Sequence, residues 1–542
     1  MLALGSAVLP QPRCPTARLG VLLWEGLRTR CSASRASPAD ERLPVICAPQ
    51  RPRQKRGAPA LSLARPGRLL IVGKRPHLNQ RAGHVFGKLD PVPLVSKGWK
   101  HRKAAGDYFV INNTRSRPPA LPGAEEQKPG REARSFRSLG LCDELCGALS
   151  RMGIVRPTRV QEHTMAALLR GKNVLSAAET GSGKTLSYLL PLMHALISGS
   201  RDAGGDGPRG LVLLPSRELT DQVREVARSL ASDLHLNVQA IGGGRGLGKV
   251  KLAVSRGKID LLISTPGVLC KALKRDFVSL HDLIYLVLDE ADSLFDDSFV
   301  PLLEDILVQT QIVSNASETQ GVDKKAQLVV TGATFPGGVG ELLSKVTDLG
   351  SITTIKSKGL HHLMPHVKQK FMKVKRADKV PDFLQMLKEL LVKRPGIGIL
   401  VFCNNAATVN WLGYVLEDHS IKHSRLQGNM EAEKRAGIFC AFQQGLVDVL
   451  LCTDIASRGL DTQRVEIVIN YDFPLTLCDY IHRAGRVGRV GSKVLGTVIS
   501  FVAHPWDVEL VQQIETSARQ KVILPGMESK IKEFVRKNLA EL

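Results

Sequence analysis

The residues able to do chemistry begin at Ala178. Val174-Leu175-Ser176-Ala177-Ala178 is a short apolar run. It passes straight into Glu179-Thr180-Gly181-Ser182-Gly183-Lys184-Thr185, and an apolar helical pattern follows from Leu186 to Ile197. Strand, glycine-rich turn and helix form the context that a phosphate-binding loop needs. Backbone N–H groups of the turn and of the helix start then point at an anion. Gly181 and Gly183 allow close approach, Lys184 is placed to reach the β and γ phosphates, and Thr185 to ligate Mg²⁺. The usual first glycine of the pattern is Ala178 here. A second apolar run, Ile284 to Leu288, ends at Asp289-Glu290-Ala291-Asp292. Carboxylates at the C-terminal end of a parallel strand sit where open α/β sheets bind ligands. Asp289 is expected to hold Mg²⁺, partly through water. Glu290 is expected to orient or deprotonate a water. An acidic helix N-cap is the competing reading, open in part to Asp292, but it does not explain two adjacent carboxylates beside a phosphate loop.

These groups need a frame. The chain has 542 residues, 43% of them hydrophobic, which suffices for several domains with sizeable cores. No apolar run approaches the ~18 residues of a membrane helix. Ten cysteines without a C-x-x-C pair fit neither a disulfide scaffold nor a zinc ribbon, and a reducing compartment is the simplest home. The formal net charge is +24, unevenly spread: residues 1–134 hold 25 Lys and Arg against 8 Asp and Glu. That segment is rich in Pro and Gly and poor in periodic pattern, so it is expected to be a basic, weakly ordered arm. Its first 39 residues carry Arg13, Arg18, Arg28, Arg30 and Arg35 with Glu25 as the only acid. Such a composition fits a mitochondrial transit peptide. The cluster Arg51, Arg53, Lys55 and Arg56 would suit a nuclear address or an RNA-binding arm. From Phe136 the pattern becomes periodic. After residue 368 strands at Ile397–Phe402, Asp448–Cys452 and Val465–Ile469 alternate with helices at Lys379–Lys393 and Ala406–Leu416. The alternation predicts a second parallel sheet.

Asp289-Glu290-Ala291-Asp292 is also the signature of the DEAD-box RNA helicases, which this sequence resembles from about Phe136 to Ala503. The resemblance implies two tandem RecA-like α/β domains, the core of superfamily 2 helicases. It also implies RNA-stimulated hydrolysis of ATP to ADP and phosphate, with ATP and Mg²⁺ as cofactors. Phe136, Gly153, Pro157, Thr158 and Gln161 look like the adenine-reading Q motif, in which a glutamine amide can pair with N7 and the N6 amino group. Pro215, Arg217, Gly243 and Thr265 resemble RNA-backbone contacts of the first domain; Val268 stands where the family usually has arginine. Gly332-Ala333-Thr334 resembles the motif that couples hydrolysis to strand separation, with Gly332 in place of serine. In the second domain Leu426-Gln427-Gly428 to Arg435 is a weaker match, in which Gly428 would meet RNA. Thr453 to Asp461 resembles the family's fifth motif: Thr453 and Arg458 would meet RNA, Gly459 and Asp461 the ATP. Tyr480 to Arg489 matches the sixth, giving His482 a coupling role and making Arg486 and Arg489 arginine fingers. Three arginines in so short a stretch require an anion among them.

The organisation expected is a transit peptide at 1–39 and a basic arm at 40–134. A first RecA-like domain follows at 135–355, a linker at 356–367, a second domain at 368–510 and a short tail at 511–542. The leader, arm and the run Phe501 to Asp507 further resemble the mitochondrial family member of vertebrates linked to the large mitochondrial ribosomal subunit. That implies a monomeric matrix protein acting on ribosomal RNA in ribosome assembly, with nucleus or nucleolus as the second location. An ATP-controlled RNA clamp or ribosome-particle scaffold with little unwinding activity is the alternative function. Gln161 together with the Asp-Glu-Ala-Asp run disfavours a DNA helicase.

Overall fold

The computed structural model describes residues 68–113 and 135–527, apart from short interruptions at 88–89, 180, 200–206, 243–247, 249–250, 253–254, 256, 297, 315–324, 335–338, 358–359, 365, 429, 455–463 and 489–494. The expected transit peptide lies outside them, as do residues 528–542 of the expected tail.

Short strands of Val, Ile and Leu build the first domain. Its sheet has the order β10-β4-β9-β8-β5-β7-β6, all neighbours parallel. These are β4 (Val174–Ala177), β5 (Gly210–Leu213), β6 (Val238–Ile241), β7 (Leu261–Ser264), β8 (Tyr285–Leu288), β9 (Gln327–Gly332) and β10 (Thr353–Lys356). Alternate residues face opposite sides of a strand, and both sides are packed. Leu286 and Leu288 enter one core, Tyr285 and Val287 the other. Near-continuous apolar runs follow from burial on both faces.

The second sheet follows the same logic. Its parallel part comprises β11 (Lys368–Lys373), β12 (Gly398–Phe402), β13 (His423–Leu426), β14 (Val449–Cys452), β15 (Val465–Asn470) and β16 (Thr497–Val502). They are ordered β13-β14-β12-β15-β16-β11. The helix expected at Lys379–Lys393 has those bounds, and the one expected from Ala406 runs on to Asp418.

Two expectations need correction. The arm is not weakly ordered throughout: β1 (Leu69–Gly73), β2 (Gln80–Arg81) and β3 (Tyr108–Ile111) extend the second sheet in the order β11-β3-β1-β2, and each new pairing is antiparallel. Strand addition pairs the edge of β11, and the inner side chains pay for the ordering by burial. Trp99, Phe109 and Ile71 are fully buried. Phe109 stacks on Phe371 of β11 at 4.7 Å, and Phe371 lies 5.8 Å from Tyr480. The boundary at residue 510 also fails, because it cuts the helix Asp507–Gln520. That helix pins the extension. The buried Glu515 carboxylate accepts hydrogen bonds from Val95 N (2.7 Å), Ser96 N (3.0 Å) and Ser96 Oγ (2.6 Å), and it pairs with Arg519 at 2.8 Å. Arg519 in turn donates to the Leu78 carbonyl at 3.0 Å.

Candidate active site and RNA-contact surface

The glycine-rich turn leaves β4 and enters the helix Lys184–Ser198 with Gly183 at φ +89° as its N-cap. A Cβ at Gly183 would lie 2.6 Å from Gln161 Nε2, so both the conformation and the space require glycine. Lys184 is 8% exposed and donates to the carbonyls of Ala178 (2.7 Å) and Glu179 (3.3 Å). Ser182 Oγ is buried in the turn with no hydrogen-bond partner among the described residues. Thr180 lies outside the described residues.

The Q segment grips this turn. Thr158 and Gln161 form a capping box at the start of the helix Arg159–Leu168, a reciprocal pairing that satisfies two orphan donors. Gln161 Oε1 accepts from Thr158 N at 2.8 Å, Gln161 Nε2 donates to the Gly183 carbonyl at 3.0 Å, and Thr158 Oγ1 donates to that of Ser182 at 3.1 Å. The glutamine is therefore tied to the phosphate loop, a bond its motif did not announce. Phe136 is buried in the core with Leu141, Leu145 and Met165.

At the end of β8, Asp289 accepts hydrogen bonds from Tyr188 Oη (2.7 Å), from Thr331 Oγ1, and from Glu290 N (2.8 Å). Burial raises its pKa, the neighbouring Glu290 adds to this, and the hydroxyls of Thr331 and Tyr188 oppose it. Burial likewise raises Tyr188, with Asp289 adding to it. Glu290 stands at φ 54°, ψ 49°, an unfavourable backbone state for a residue with a Cβ that functional turns retain.

The second domain docks on this turn. His482 Nε2 lies 2.9 Å from Asp292 Oδ2, and Thr334 Oγ1 lies 3.2 Å from Cys478 Sγ. Thr334 N also donates to Asp292 Oδ2 at 3.2 Å. Asp292 is thus a hub rather than a helix cap. It joins the expected coupling residues Thr334 and His482, while the Ala333 carbonyl is bonded by His361 of the linker at 3.2 Å. Burial alone would raise Asp292 and lower His482. Each offsets the other's desolvation: the imidazole facing it holds the Asp292 carboxyl well below the usual range, and the carboxylate raises His482 well above its own. Ligand atoms of Glu290, Asp292 and His482 lie within 4.8 Å of one another. In its protonated form His482 donates to Asp292 and has no lone pair to offer a metal.

The anion expected among the three arginines proves, for Arg483, to be a protein carboxylate. Arg483 is 1% exposed and forks onto Asp454 with two 2.6 Å bonds, donating also to Asn404 Oδ1 at 2.7 Å. It braces the second domain from inside. Arg486 is buried, with its Nε 3.3 Å from the His482 carbonyl. Gly488, at φ +68°, gives its carbonyl to His366 Nε2 at 2.6 Å, so the linker touches the arginine-bearing loop. Arg489, Arg458, Gly459 and Asp461 lie outside the described residues.

Along the segments expected to contact RNA, Pro215 precedes the helix Arg217–Ala231, and a Cβ at Gly242 would meet the Arg217 side chain at 2.7 Å. Thr265 stands at the N-cap position of the helix Pro266–Leu273 without a side-chain capping bond, and Val268 packs against the core. Gly243 lies outside the described residues. Thr453 follows β14 and is buried. Gly428 follows β13, and Arg435 Nη1 donates to its carbonyl at 3.0 Å. Sequence reasoning did not find that Arg435 also pairs with Glu218 of the first domain, with Nε 3.0 Å from Oε1. The signal lay in the adjacency of Glu218 to Arg217, but a partner so distant in the chain has no spacing rule.

Comparison with known proteins agrees with this geometry. A DEAD/DEAH box helicase family model matches residues 158–342, and a helicase conserved C-terminal domain model matches 382–491. Two RecA-like domains with this pair of matches define an ATP-dependent nucleic-acid motor, and the chain belongs to the DEAD-box ATP-dependent RNA helicases. It is 51% identical to the probable ATP-dependent RNA helicase DDX28 of Mus musculus, covering 91% of this chain and 93% of that one. It is 50% identical to that of Homo sapiens, covering 91% and 94%. A solved structure of S. cerevisiae Dbp5 bound to RNA and ADP BeF3 superposes with a TM-score of 0.58 at 23% identity, covering 75% of this chain and all of that one. That likeness concerns the fold.

Proposed function

We propose that this ATP-dependent RNA helicase runs its cycle by completing one ATP site from two domains. The observation that carries the reading is the docking of the helix Leu477–Ala484 on the Asp289–Asp292 turn through His482 and Asp292. In this reading Gly181, Ser182, Gly183, Lys184 and Thr185 cradle the phosphates. The unpartnered Ser182 hydroxyl fits an anionic ligand. Lys184 exchanges its two loop carbonyls for phosphate oxygens.

The donor set also fits Mg²⁺, a hard ion that takes oxygen ligands and keeps several waters. Thr185 offers a hydroxyl. Asp289, whose oxygens already accept three hydrogen bonds, would hold the ion partly through water. Bound there, Mg²⁺ would neutralise phosphate charge. Glu290 orients and deprotonates the attacking water. Arg486 and Arg489 meet charge developing on the γ-phosphate, a contribution of ~10³–10⁵ in rate where such fingers are supplied. Gln161 contacts adenine while tying that contact to the loop, with Phe136 seating the segment. Gly459 and Asp461 are assigned to the ribose side.

Pro215, Arg217, Gly243, Thr265, Gly428, Thr453 and Arg458 are assigned to the RNA backbone. Binding through phosphates is largely sequence-independent and salt-sensitive. Closure pries apart a short duplex, and loss of the γ-phosphate reopens the cleft. Thr334 reaches Asp292 despite Gly332 in the serine position, which favours active strand separation over a passive clamp. A duplex-displacement assay tests this: displacement requiring ATP is expected, and ATP-dependent retention on RNA without displacement would support the clamp.

The Arg-rich, acid-poor first 39 residues support import into the mitochondrial matrix, where ribosomal RNA of the large subunit is the proposed substrate of a monomeric enzyme. A reporter fused to residues 1–39 should enter mitochondria; a purely nuclear or cytosolic reporter would contradict this.

A further inference from the structure

We propose that the folded N-terminal extension, together with the adjoining end of the second sheet, forms an RNA-phosphate-binding surface outside the cleft. It takes the structured flank of an RNA whose single strand is held between the domains. The inference rests on the chain's being an RNA helicase and adds a site that the helicase motifs do not include.

Charge is the first observation. Residues 68–113 contain nine Lys and Arg but only Asp90 and Asp107 as acids. Asp107 is consumed internally, accepting from Trp99 Nε1 at 3.0 Å and pairing with Arg75 at 3.2 Å. It thereby bundles the Lys74–Arg75 turn against the segment that carries Lys97, Arg102 and Lys103. Those three and Lys74 are exposed, and among the described residues no carboxylate pairs with them.

Topology is the second observation. β3 runs antiparallel to β11, with Tyr108 opposite Met372, and β1 runs antiparallel to β3, with Gly73 opposite Phe109. The start of β3 and the end of β1 therefore lie at the C-terminal edge of the parallel strands, so Lys74 and the 97–103 segment emerge there. Gly106 N donates to the Lys373 carbonyl at 2.8 Å, fixing the junction. Thr453, after β14, leaves the sheet at this same edge. From β14 to β3 are five strand spacings, roughly 24 Å at ~4.8 Å each.

The edge between is also furnished. Lys375 and Arg376 are exposed just after β11. His504, bonded to Arg376 at 2.6 Å, stacks on Trp506 with centroids 4.4 Å apart, and Trp506 is 61% exposed. Cations interleaved with an exposed aromatic ring are what nucleic-acid backbones and unpaired bases engage. Because Glu515 and Arg519 pin the extension, this surface moves as one piece with the second domain and would pull on the flank as the cleft closes.

The test uses full-length protein and two RNAs: a single strand of about 10 nucleotides, within the footprint of one binding cleft, and the same strand joined to a hairpin. The variant is the triple charge reversal Lys97→Glu, Arg102→Glu, Lys103→Glu. Its affinity for the hairpin RNA should fall by ~10-fold or more, and the log–log salt slope should become shallower by ~2–3, at ~0.7–0.9 per phosphate contact. Affinity for the short strand should change less than about twofold. Equal loss on both RNAs, or no loss on either, overturns the proposal. If the reversal unfolds the extension, Lys97→Gln, Arg102→Gln, Lys103→Gln should give the same split with an unchanged melting temperature. Failure of the wild-type protein to bind either RNA would instead refute the helicase reading itself.

Discussion

Lys184 and Glu290 are proposed to do different jobs and should fail differently. Lys184→Ala removes the ammonium that cradles phosphate, so ATP binding and hydrolysis should fall together. Glu290→Gln keeps the size and loses the base; ATP binding should persist while turnover stops and the protein stays on RNA. Equilibrium binding of a fluorescent ATP analogue beside steady-state turnover separates these outcomes, and equal loss of binding in both variants would remove Glu290 from water activation. Gln161 makes the bond to the Gly183 carbonyl and is proposed to contact adenine as well. Gln161→Ala should lower ATP use and reduce the preference for ATP over GTP. If affinity for both nucleotides drops equally, its role is the loop bond alone. At this scale much was legible in sequence. The loop, Asp289 and Glu290 stand in local patterns of strand, turn and helix that spacing reveals. Arg483 was not, because its partner Asp454 belongs to another strand's end and only the fold brings them together.

Among the elements, the helix Leu477–Ala484 is joined to the first domain by His482 and Asp292, and this pair is expected to give closure a pH dependence. His482 is raised above its ordinary value of ~6.5, so its contribution is fully present below that and is lost as pH rises through the raised pKa. Asp292 is depressed, so its contribution is present above ~3.9 and lost as pH falls through its lowered pKa. Thr334, Cys478, Glu290 and Lys184 complete the surroundings. RNA-stimulated turnover should therefore decline on the alkaline side, and His482→Gln should flatten that limb; an identical alkaline limb in the variant would free His482 of the effect. The N-terminal extension is the element that sequence reasoning missed. Its two longer strands have only five and four residues, Leu69 to Gly73 and Tyr108 to Ile111, set in basic Pro- and Gly-rich chain, and the sheet edge they extend begins at Lys368. The buried Glu515–Arg519 pair that holds it is unforgiving. Arg519→Leu leaves Glu515 uncompensated and should cost about 3–5 kcal/mol, read as a lower denaturation midpoint with earlier proteolysis of the extension.

For the whole molecule, the central claim is that neither domain hydrolyses ATP alone. Arg486 lies some 300 residues beyond Lys184, on a separate sheet, yet the helix carrying His482 brings its neighbourhood to the Asp289–Asp292 turn. Guanidiniums aimed at charge that develops only in the transition state accelerate chemistry without tightening ground-state binding. The most direct measurement is the RNA-stimulated kcat of Arg486→Lys and Arg489→Lys, with ATP affinity in the absence of RNA measured alongside. Lysine keeps the charge but loses the planar fork. Each variant should lose at least ~10-fold in kcat, a modest demand beside finger effects of ~10³ or more, with ATP affinity nearly unchanged. A wild-type kcat in both variants would contradict a site completed across the two domains.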